Sequence, residues 1–447
     1  GATFVPGNFY WLKTGATFVP GNFYWLKTGA TFVPGNFYWL KTGATFSLSM
    51  RRSAMMAGSS RVGRKVGGSK KAKTVRPAKK KRRRGGGGTG DRIEALARDV
   101  VDLAGRQKDP FVDIPLRALS NVSFNPKSRF IEMGDKTQRR NFFNYGQAKR
   151  FMQTMLVAAK CKDLVAQDKT ASIRQIYYLA KHTIKGTSEK TFDDQSETDP
   201  ILEDLEVAVE ALREELHVFA SSRGALIGQL TFVDSGDTID ATKLGSGGYA
   251  IPSIVEPEVI KFKACKAKFV LHVEKDTVWR RFVEDRFWEK HRCILTHGGG
   301  QPPRGVRRLL HRLHNELKLP VYMLMDNDPW GYYIYSVVKQ GSINLAFESG
   351  RMAVPDARFI GVSAFDYERF KLSDDVKIEL DANDVKRCRQ IMAYPWFQGK
   401  RPWAKEIKKL MANGFKMEVE AMCSKTLSFV TEEYLPYKLK HTKEWLD

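Results

Sequence analysis

Two short apolar runs, each followed directly by carboxylates, constrain the fold of this chain more than any other feature. Glu274 follows the run 269–273, and Asp326-Asn327-Asp328-Pro329 follows the run 321–325. Apolar runs of this length are typical of buried strands. Strands and helices alternate from Val259 onward, which predicts an α/β fold with a mostly parallel sheet.

The acidic side chains after these runs form a candidate metal site. Successive strands of an open α/β sheet bring their carboxyl ends to one edge, where ligands bind. We therefore expect Glu274, Asp326 and Asp328 to lie close together. Carboxylate oxygens suit Mg²⁺, which prefers hard oxygen donors and phosphate. An Asp-x-Asp pair alone is common in solvated loops, but two acidic segments that each follow a buried strand predict a magnesium site.

The segment 172–182 predicts a helix with one apolar face and one cationic face. Side chains three and four positions apart share a helix face. The apolar face holds Ile173, Ile176, Tyr177 and Ala180, and the adjoining face holds Arg174, Tyr178, Lys181 and His182. Tyr177 is therefore predicted to be buried, and Tyr178 to present its phenol beside cations. Such a phenol suits attack on a phosphodiester, although two tyrosines on an ordinary amphipathic helix give the same pattern.

Several motifs occur together in an order that resembles one known family. They are Arg174-x-x-x-Tyr178, the strand ending at Glu274, Gly298-Gly299-Gly300-Gln301-Pro302, Asp326-Asn327-Asp328-Pro329-Trp330-Gly331 and Tyr434-Leu435-Pro436-Tyr437-Lys438-Leu439. From Asp91 onward the chain resembles the A subunit of DNA topoisomerase VI and its relative, the meiotic double-strand-break transesterase. One departure is Asn327, where a glycine is common in the family; both flanking aspartates are present.

The resemblance implies a multidomain α/β protein in which a winged-helix (CAP-like) domain carries Tyr178 and a Toprim domain carries the three acids. Tyr178 would attack a DNA phosphate, form a 5′-phosphotyrosyl bond and release a 3′ hydroxyl, and religation would reverse that step. Arg174 would stabilise charge on the phosphoryl oxygens. Mg²⁺ held by Glu274, Asp326 and Asp328 would orient the scissile phosphate.

The resemblance also implies partners. An A-subunit homodimer would cut both strands of double-stranded DNA, with the tyrosine of one protomer against the metal of the other. The sequence contains no ATP-binding motif, so strand passage would depend on a separate ATPase B subunit in a complex of two A and two B subunits. Lys181 and His182 are candidate DNA contacts, and His182 is also a candidate general base.

The positive charge is concentrated near the start of the chain. The net charge is +24, but eighteen cations and no acid precede Gly85, which leaves +6 for the remainder. The densest run is Lys79, Lys80, Lys81, Arg82, Arg83 and Arg84. It is predicted to bind DNA phosphates without sequence preference, although a solvated arm without a partner or a nuclear-localisation signal would have the same composition.

Composition and periodicity divide the chain into five parts. Residues 1–46 consist of perfect 14-residue repeats, the last one truncated, and are predicted to be non-globular; 47–90 form a disordered basic and glycine-rich tail. A helical region is predicted at 91–140, the winged-helix domain at 141–256 with its longest helix at 201–219, and the Toprim domain at 257–447. The first helix has an apolar stripe, with Asp91 as its predicted cap. That stripe fits either packing in its own domain or docking of the ATPase subunit.

Other classes of protein fit the sequence less well. The histidine and glycines at 297–300 look like a lipase oxyanion loop, but no Gly-x-Ser-x-Gly motif accompanies them. Five widely spaced cysteines and the absence of an apparent signal peptide or membrane span favour an intracellular location, cytoplasm and nucleoid or a eukaryotic nucleus. A meiotic-type enzyme that cuts without strand passage and a non-catalytic DNA-binding paralogue remain as alternative functions.

Overall fold

The computed structural model describes residues 87–447, together with the backbone of a short antiparallel pair, β1 (Leu40–Lys41) and β2 (Ala44–Thr45). The predicted repeats, the basic tail as far as residue 86 and the six predicted DNA-binding cations at 79–84 lie outside the described residues. No helix in the described part is both long and apolar enough to cross a membrane.

The first described helix is α1 (Thr89–Gly105), and two antiparallel strand pairs follow it. β3 (Phe111–Pro115) pairs with β6 (Thr137–Asn141), and β4 (Val122–Asn125) pairs with β5 (Phe130–Met133). The helix begins after Gly88, whose N–H donates to Asp91, so Asp91 lies inside the first turn rather than at the cap.

The predicted apolar stripe of α1 divides between packing and solvent. Ile93 is buried, and Leu96 and Val100 pack against the neighbouring core, whereas Val101 remains exposed. Packing within the domain therefore accounts for the apolar character of Ile93, Leu96 and Val100. The exposed Val101 lies on the side of the helix that faces solvent.

Three helices and a short parallel strand pair form the next region. They are α2 (Tyr145–Gln167), α3 (Ile173–Ala180) and α4 (Thr198–Ala208), with β7 (Ala171–Ser172) beside β8 (Val218–Phe219). The predicted long helix at 201–219 is wrong, because α4 ends at Ala208 and Glu210 has a positive φ of 52°. The segment after α4 consists of turns, yet it places Leu216 in the same core as the helix. The apolar residues of this segment therefore recur at a spacing that resembles a helix.

The next part of the chain contains a small antiparallel sheet. Its order is β11 (Asp237–Asp240), β10 (Leu230–Asp234) and β13 (Ile260–Cys265). Two further strands of this part of the chain, β9 (Ala225–Gly228) and β12 (Tyr249–Ala250), join the edge of the main sheet instead.

The main sheet has six strands in the order β12-β9-β15-β14-β16-β17. The last four are β15 (Cys293–His297), β14 (Phe269–Val273), β16 (Val321–Leu324) and β17 (Arg358–Gly361), which pair with one another in parallel, whereas β9 joins β15 antiparallel. The prediction of a mixed α/β fold with a mostly parallel sheet in this region is confirmed. Because these strands are parallel, Glu274 and Asp326 follow them at the same edge.

Helices cover both faces of this sheet, so its central strands are apolar on both sides. Val270 and Ile294 pack into one core with α7 (Arg304–Leu317) and α8 (Pro329–Gln340). Leu271 and Leu295 pack into the other core with α5 (Asp276–Glu284). The remaining elements are α6 (Phe287–Lys290), α9 (Ser349–Met352), α10 (Asp366–Arg369), β18 (Ile378–Glu379), α11 (Ala382–Ala393), α12 (Arg401–Asn413), β19 (Phe415–Lys416) and α13 (Leu435–Lys440).

Candidate active site

Helix α3 presents the two neighbouring tyrosines to different environments. Tyr177 is buried and packs edge-on against Phe192, whereas 60% of Tyr178 is exposed. Arg174, one turn earlier on the same helix, is also exposed. Within the helix itself the predicted faces are the observed ones, and Arg174 and Tyr178 are both exposed to solvent.

The start of α3 is fixed by reciprocal hydrogen bonds. The Gln175 N–H donates to Ser172 Oγ at 3.2 Å, and the Ser172 N–H donates to Gln175 Oε1 at 2.7 Å. Such a capping box satisfies two backbone donors that a helix start otherwise leaves unpaired. Together with the buried Tyr177, it holds the helix that carries Tyr178 in one orientation.

Two predicted residues of the cationic face lie elsewhere. The helix ends at Ala180, and the backbone at Lys181 is extended, so His182 is not one turn further along the same face. The Thr191 hydroxyl donates to the Ala180 carbonyl at 2.8 Å and accepts from the His182 N–H at 3.0 Å. These bonds pair two backbone groups at the point where the chain leaves the helix. The Lys181 ammonium contacts the hydroxyl of Tyr177, not that of Tyr178.

The structure brings together two of the predicted metal carboxylates at the sheet edge. Glu274 Oε2 accepts from the Asp326 N–H at 3.0 Å, so the first carboxylate is held against the backbone of the second. Asp326 Oδ1 accepts from the Val419 N–H at 2.8 Å. Both side chains are buried.

Asp328 is placed by the helix that follows it. Its Oδ1 accepts from the Gly331 N–H and caps the start of α8. Asn327 between the aspartates is fully buried, and its amide donates to the Tyr332 hydroxyl at 2.7 Å, which in turn donates to Glu406 at 2.9 Å. The residue at the position where glycine is common thus packs in the core, and the flanking aspartates make separate hydrogen bonds to Val419 and Gly331.

Burial and mutual repulsion disfavour the charged forms of these acids. Burial, followed by the nearby Asp326 charge, raises the pKa of Glu274 to about 8. Burial is likewise the largest cause that raises the pKa of Asp326, to about 6, and it also raises the pKa of Asp328. A cation at this edge would relieve the repulsion between the carboxylates.

Glu274 and Asp326 offer carboxylate oxygens of the kind that a divalent cation binds. Within residues 87–447, no group of three or more histidine, cysteine, aspartate or glutamate side chains is placed to hold a metal ion by itself. Mg²⁺ usually keeps several waters and binds through one or two carboxylates plus phosphate oxygens. Glu274 and Asp326 supply such oxygens, and Asp328 is nearby.

Three family profiles match successive parts of the chain. The profile "Type IIB DNA topoisomerase" matches residues 149–218, and "All-beta domain in DNA topoisomerase VI alpha subunit" matches residues 223–266. The profile for the Toprim domain of the topoisomerase 6 A subunit and Spo11 matches residues 269–439, which include all three acids.

Curated relatives match over most of their length. The A subunit of type 2 DNA topoisomerase 6 from Pyrococcus horikoshii is 42% identical over 362 residues, which cover 79% of this chain and 94% of that protein. The corresponding protein of Aeropyrum pernix is 37% identical, covering 80% and 94%. The A3 subunit of DNA topoisomerase 6 from Oryza sativa subsp. indica is 33% identical, covering 74% and 73%.

The chain belongs to the family of topoisomerase 6 A subunits. The predicted family and the predicted class, a type II DNA topoisomerase, are confirmed by these matches. The names of the relatives favour this function over the meiotic alternative.

Sequence patterns missed one part of this family's architecture. The all-β segment at 223–266 contains β9 to β13 and was not separated from the predicted winged-helix region. Its strands are short, and two of them complete the main sheet, so periodicity alone gave no boundary.

The structure also places one cation, Lys275, and two further acids, Glu418 and Glu420, at the candidate topoisomerase site. The Lys275 ammonium lies 2.9 Å from Asp326 Oδ2, and it also contacts Glu418 at 3.0 Å and Glu420 at 3.3 Å. The position of Lys275 directly after Glu274 was a usable signal. Nothing in the sequence connects Glu418 and Glu420 with this edge, because only folding brings them there.

The glycine run at 298–300 borders the same edge. The loop follows β15, and the Gly300 N–H donates to the Glu274 carbonyl at 2.9 Å. Gly299 and Gly300 have φ values of 65° and 89°, a backbone conformation that favours glycine. The loop therefore brings backbone close to the acidic site without adding side chains.

Proposed function

We propose that this chain is the subunit that cleaves and religates double-stranded DNA in a topoisomerase VI-type enzyme. The observation that carries the proposal is the exposed Tyr178 beside Arg174 on a helix fixed by its buried partner Tyr177. Family membership gives that phenol a substrate class, because the relatives are named DNA topoisomerases.

The chemistry is a reversible exchange of phosphoesters. The Tyr178 oxygen bonds to a backbone phosphorus as its proton leaves, and the bond to the 3′ oxygen breaks to give a 3′ hydroxyl and a 5′-phosphotyrosyl link. The reverse attack by that hydroxyl restores the DNA and the phenol. Arg174 stabilises the charge that develops on the phosphoryl oxygens.

Mg²⁺ is the cofactor that we assign to Glu274, Asp326 and Asp328. When bound, it would supply Lewis-acid stabilisation of the phosphate and of the leaving oxygen. The support is the burial of Glu274 and Asp326 at one sheet edge, with the half-buried Asp328 two residues further on, and the raised pKa values of Glu274 and Asp326.

The assembly that we propose is an A-subunit homodimer bound to two ATPase B subunits. Among the hydrogen bonds and ion pairs of residues 87–447, none joins Tyr178 to the three acids. In the proposed homodimer, the tyrosine of one protomer would act against the metal site of the other. Helices α2 to α4, with the Thr183–Lys190 bridge after α3, support a winged-helix domain for this tyrosine.

Two smaller assignments complete the proposal. The exposed His182 remains a candidate DNA contact and general base, and Lys181 a candidate DNA contact that acts beside Tyr177. The five cysteines are all free, which suits a reducing intracellular compartment.

Trapping the covalent intermediate tests the proposal directly. The chain, assembled with an ATPase B subunit, is incubated with supercoiled DNA, Mg²⁺ and nucleotide, and the reaction is stopped with a strong denaturant. We expect linear DNA with protein on its 5′ ends, mapped by peptide sequencing to Tyr178. Adducts at another residue would overturn the assignment, and DNA binding without adducts would favour the non-catalytic paralogue.

A further inference from the structure

The ammonium of Lys275 lies against the carboxylate of Asp326, one of the proposed metal ligands. Its nitrogen lies 2.9 Å from Asp326 Oδ2. The other oxygen of Asp326 already accepts the Val419 N–H at 2.8 Å. Lys275 is therefore the counter-ion of Asp326 Oδ2, the oxygen that does not accept this backbone hydrogen bond.

A metal ion and this ammonium compete when both lie on the same carboxylate oxygen. Two cations a few ångströms apart repel, and the repulsion is strong where the surroundings are dry. Asp326 is 3% exposed, so water screens the pair poorly. Metal binding at Asp326 must therefore move the Lys275 ammonium.

Two further acids are placed to receive the ammonium when it moves. Glu418 and Glu420 already contact it at 3.0 and 3.3 Å. Glu420 is itself fixed by the Thr277 hydroxyl, which donates to it at 2.7 Å. Since lysine has a flexible stem, a short movement toward these glutamates frees Asp326 Oδ2 without loss of ion pairing.

We propose that Lys275 is an internal counter-ion that competes with the divalent cation for Asp326 and is retained beside the site by Glu418 and Glu420. The proposal rests on the proposed function, since it concerns the metal site assigned there. Its consequence is that the protein alone binds the metal weakly. Tight binding then requires the additional oxygens of a DNA phosphate.

Metal binding to the whole chain without DNA tests this competition. Mg²⁺ titration calorimetry and Mn²⁺ electron paramagnetic resonance measure the affinity of wild type, Lys275→Met and Lys275→Arg. Removing the competing charge should tighten binding roughly tenfold in Lys275→Met, and Lys275→Arg should stay near wild type. Lys409→Met is the matched control, because Lys409 pairs with Glu368 and should leave the affinity unchanged.

A second variant distinguishes competition from a structural role. Glu418→Gln removes one acceptor of the displaced ammonium, so it should weaken metal binding several-fold in the wild-type background and have little effect in the Lys275→Met background. Unchanged or weaker binding by folded Lys275→Met would overturn the counter-ion proposal and leave the metal site standing. No metal binding by wild type or Lys275→Met, with or without DNA, would overturn the site and the counter-ion together. If Lys275→Met fails to fold, an unaltered affinity in Glu418→Gln would overturn the proposal.

Discussion

At the scale of single residues, the two neighbouring tyrosines differ in what each hydroxyl contacts. Tyr177 receives the Lys181 ammonium and packs in the core, whereas Tyr178 is mostly exposed. We expect Tyr178→Phe to abolish covalent attachment to DNA with an unchanged melting temperature. Tyr177→Phe should lose about 1 kcal/mol of stability through its hydrogen bond and keep most cleavage. Denaturant-trapped adducts and thermal melting measure both; an inactive Tyr177→Phe beside an active Tyr178→Phe would reverse the assignment.

The acidic residues give a second prediction at this scale. Glu274→Ala or Asp326→Ala should reduce cleavage by roughly a hundredfold or more if the metal supplies several kcal/mol to the transition state. Asp328 also caps α8, so Asp328→Ala combines a loss of about 1 kcal/mol of stability with any catalytic effect. Asp328→Asn keeps a capping side chain and isolates the effect of the charge. Full cleavage by all of these variants, or by wild type in excess chelator, would exclude the metal site.

The raised pKa of Glu274 predicts a pH dependence of stability in the metal-free protein. Its folded pKa of about 8 lies above its ordinary value of 4.5, so the folded state holds a proton that the unfolded state releases. The free energy of unfolding should therefore fall as pH rises from about 4.5 to about 8 and level off above that. Denaturant titrations without metal measure the slope. Glu274→Gln should flatten it, and a slope unchanged by this substitution would assign the effect to other groups.

At the scale of elements, the start of α3 determines how Tyr178 is presented. Ser172→Ala removes the hydroxyl that accepts the Gln175 N–H and should cost about 1 kcal/mol of stability. Cleavage should fall far less than in Tyr178→Phe, because the phenol and Arg174 remain. Ser172→Asn, which retains a good capping group, should recover stability in chemical denaturation. A loss of activity as complete as that of Tyr178→Phe would give Ser172 a role beyond capping.

At the scale of the whole molecule, the densest positive charge and the residues assigned to cleavage lie in different parts of the sequence. Apart from Lys41, whose backbone lies in β1, the cations before Gly85 lie outside the described residues, and every residue assigned to cleavage lies beyond Arg92. Deleting residues 1–84 should lower DNA affinity and flatten its logarithmic salt dependence by several units, with about 0.9 for each lost phosphate contact. Cleavage of bound DNA should survive. Fluorescence anisotropy over a salt series measures the slope, and an unchanged slope would show that these cations do not contact DNA.

The folded body also depends on ion pairs between segments that are distant in the chain. Arg304, at the start of α7, donates to both oxygens of the fully buried Glu206 on α4, at 2.9 and 2.6 Å. Arg351 of α9 also pairs with the partly buried Glu214, through one nitrogen and one oxygen. Because a buried charge without its partner is costly, these pairs favour one arrangement of the tyrosine-bearing segment against the main sheet.

The sequence by itself determined the features that depend on local periodicity and on strand ends. The burial of Tyr177, the exposure of Tyr178 and the placement of Glu274 and Asp326 at one sheet edge follow from spacings within a few residues and from parallel strand pairing. Only the tertiary structure decided where α3 and α4 end, because Thr191 and Leu216 act there through contacts distant in the chain. The ring of charges around Asp326 was likewise decided by folding, since Glu418 and Glu420 reach Lys275 from about 140 residues away. Local sequence carries no information about such long-range ion pairs, which arise only when packing brings the segments together.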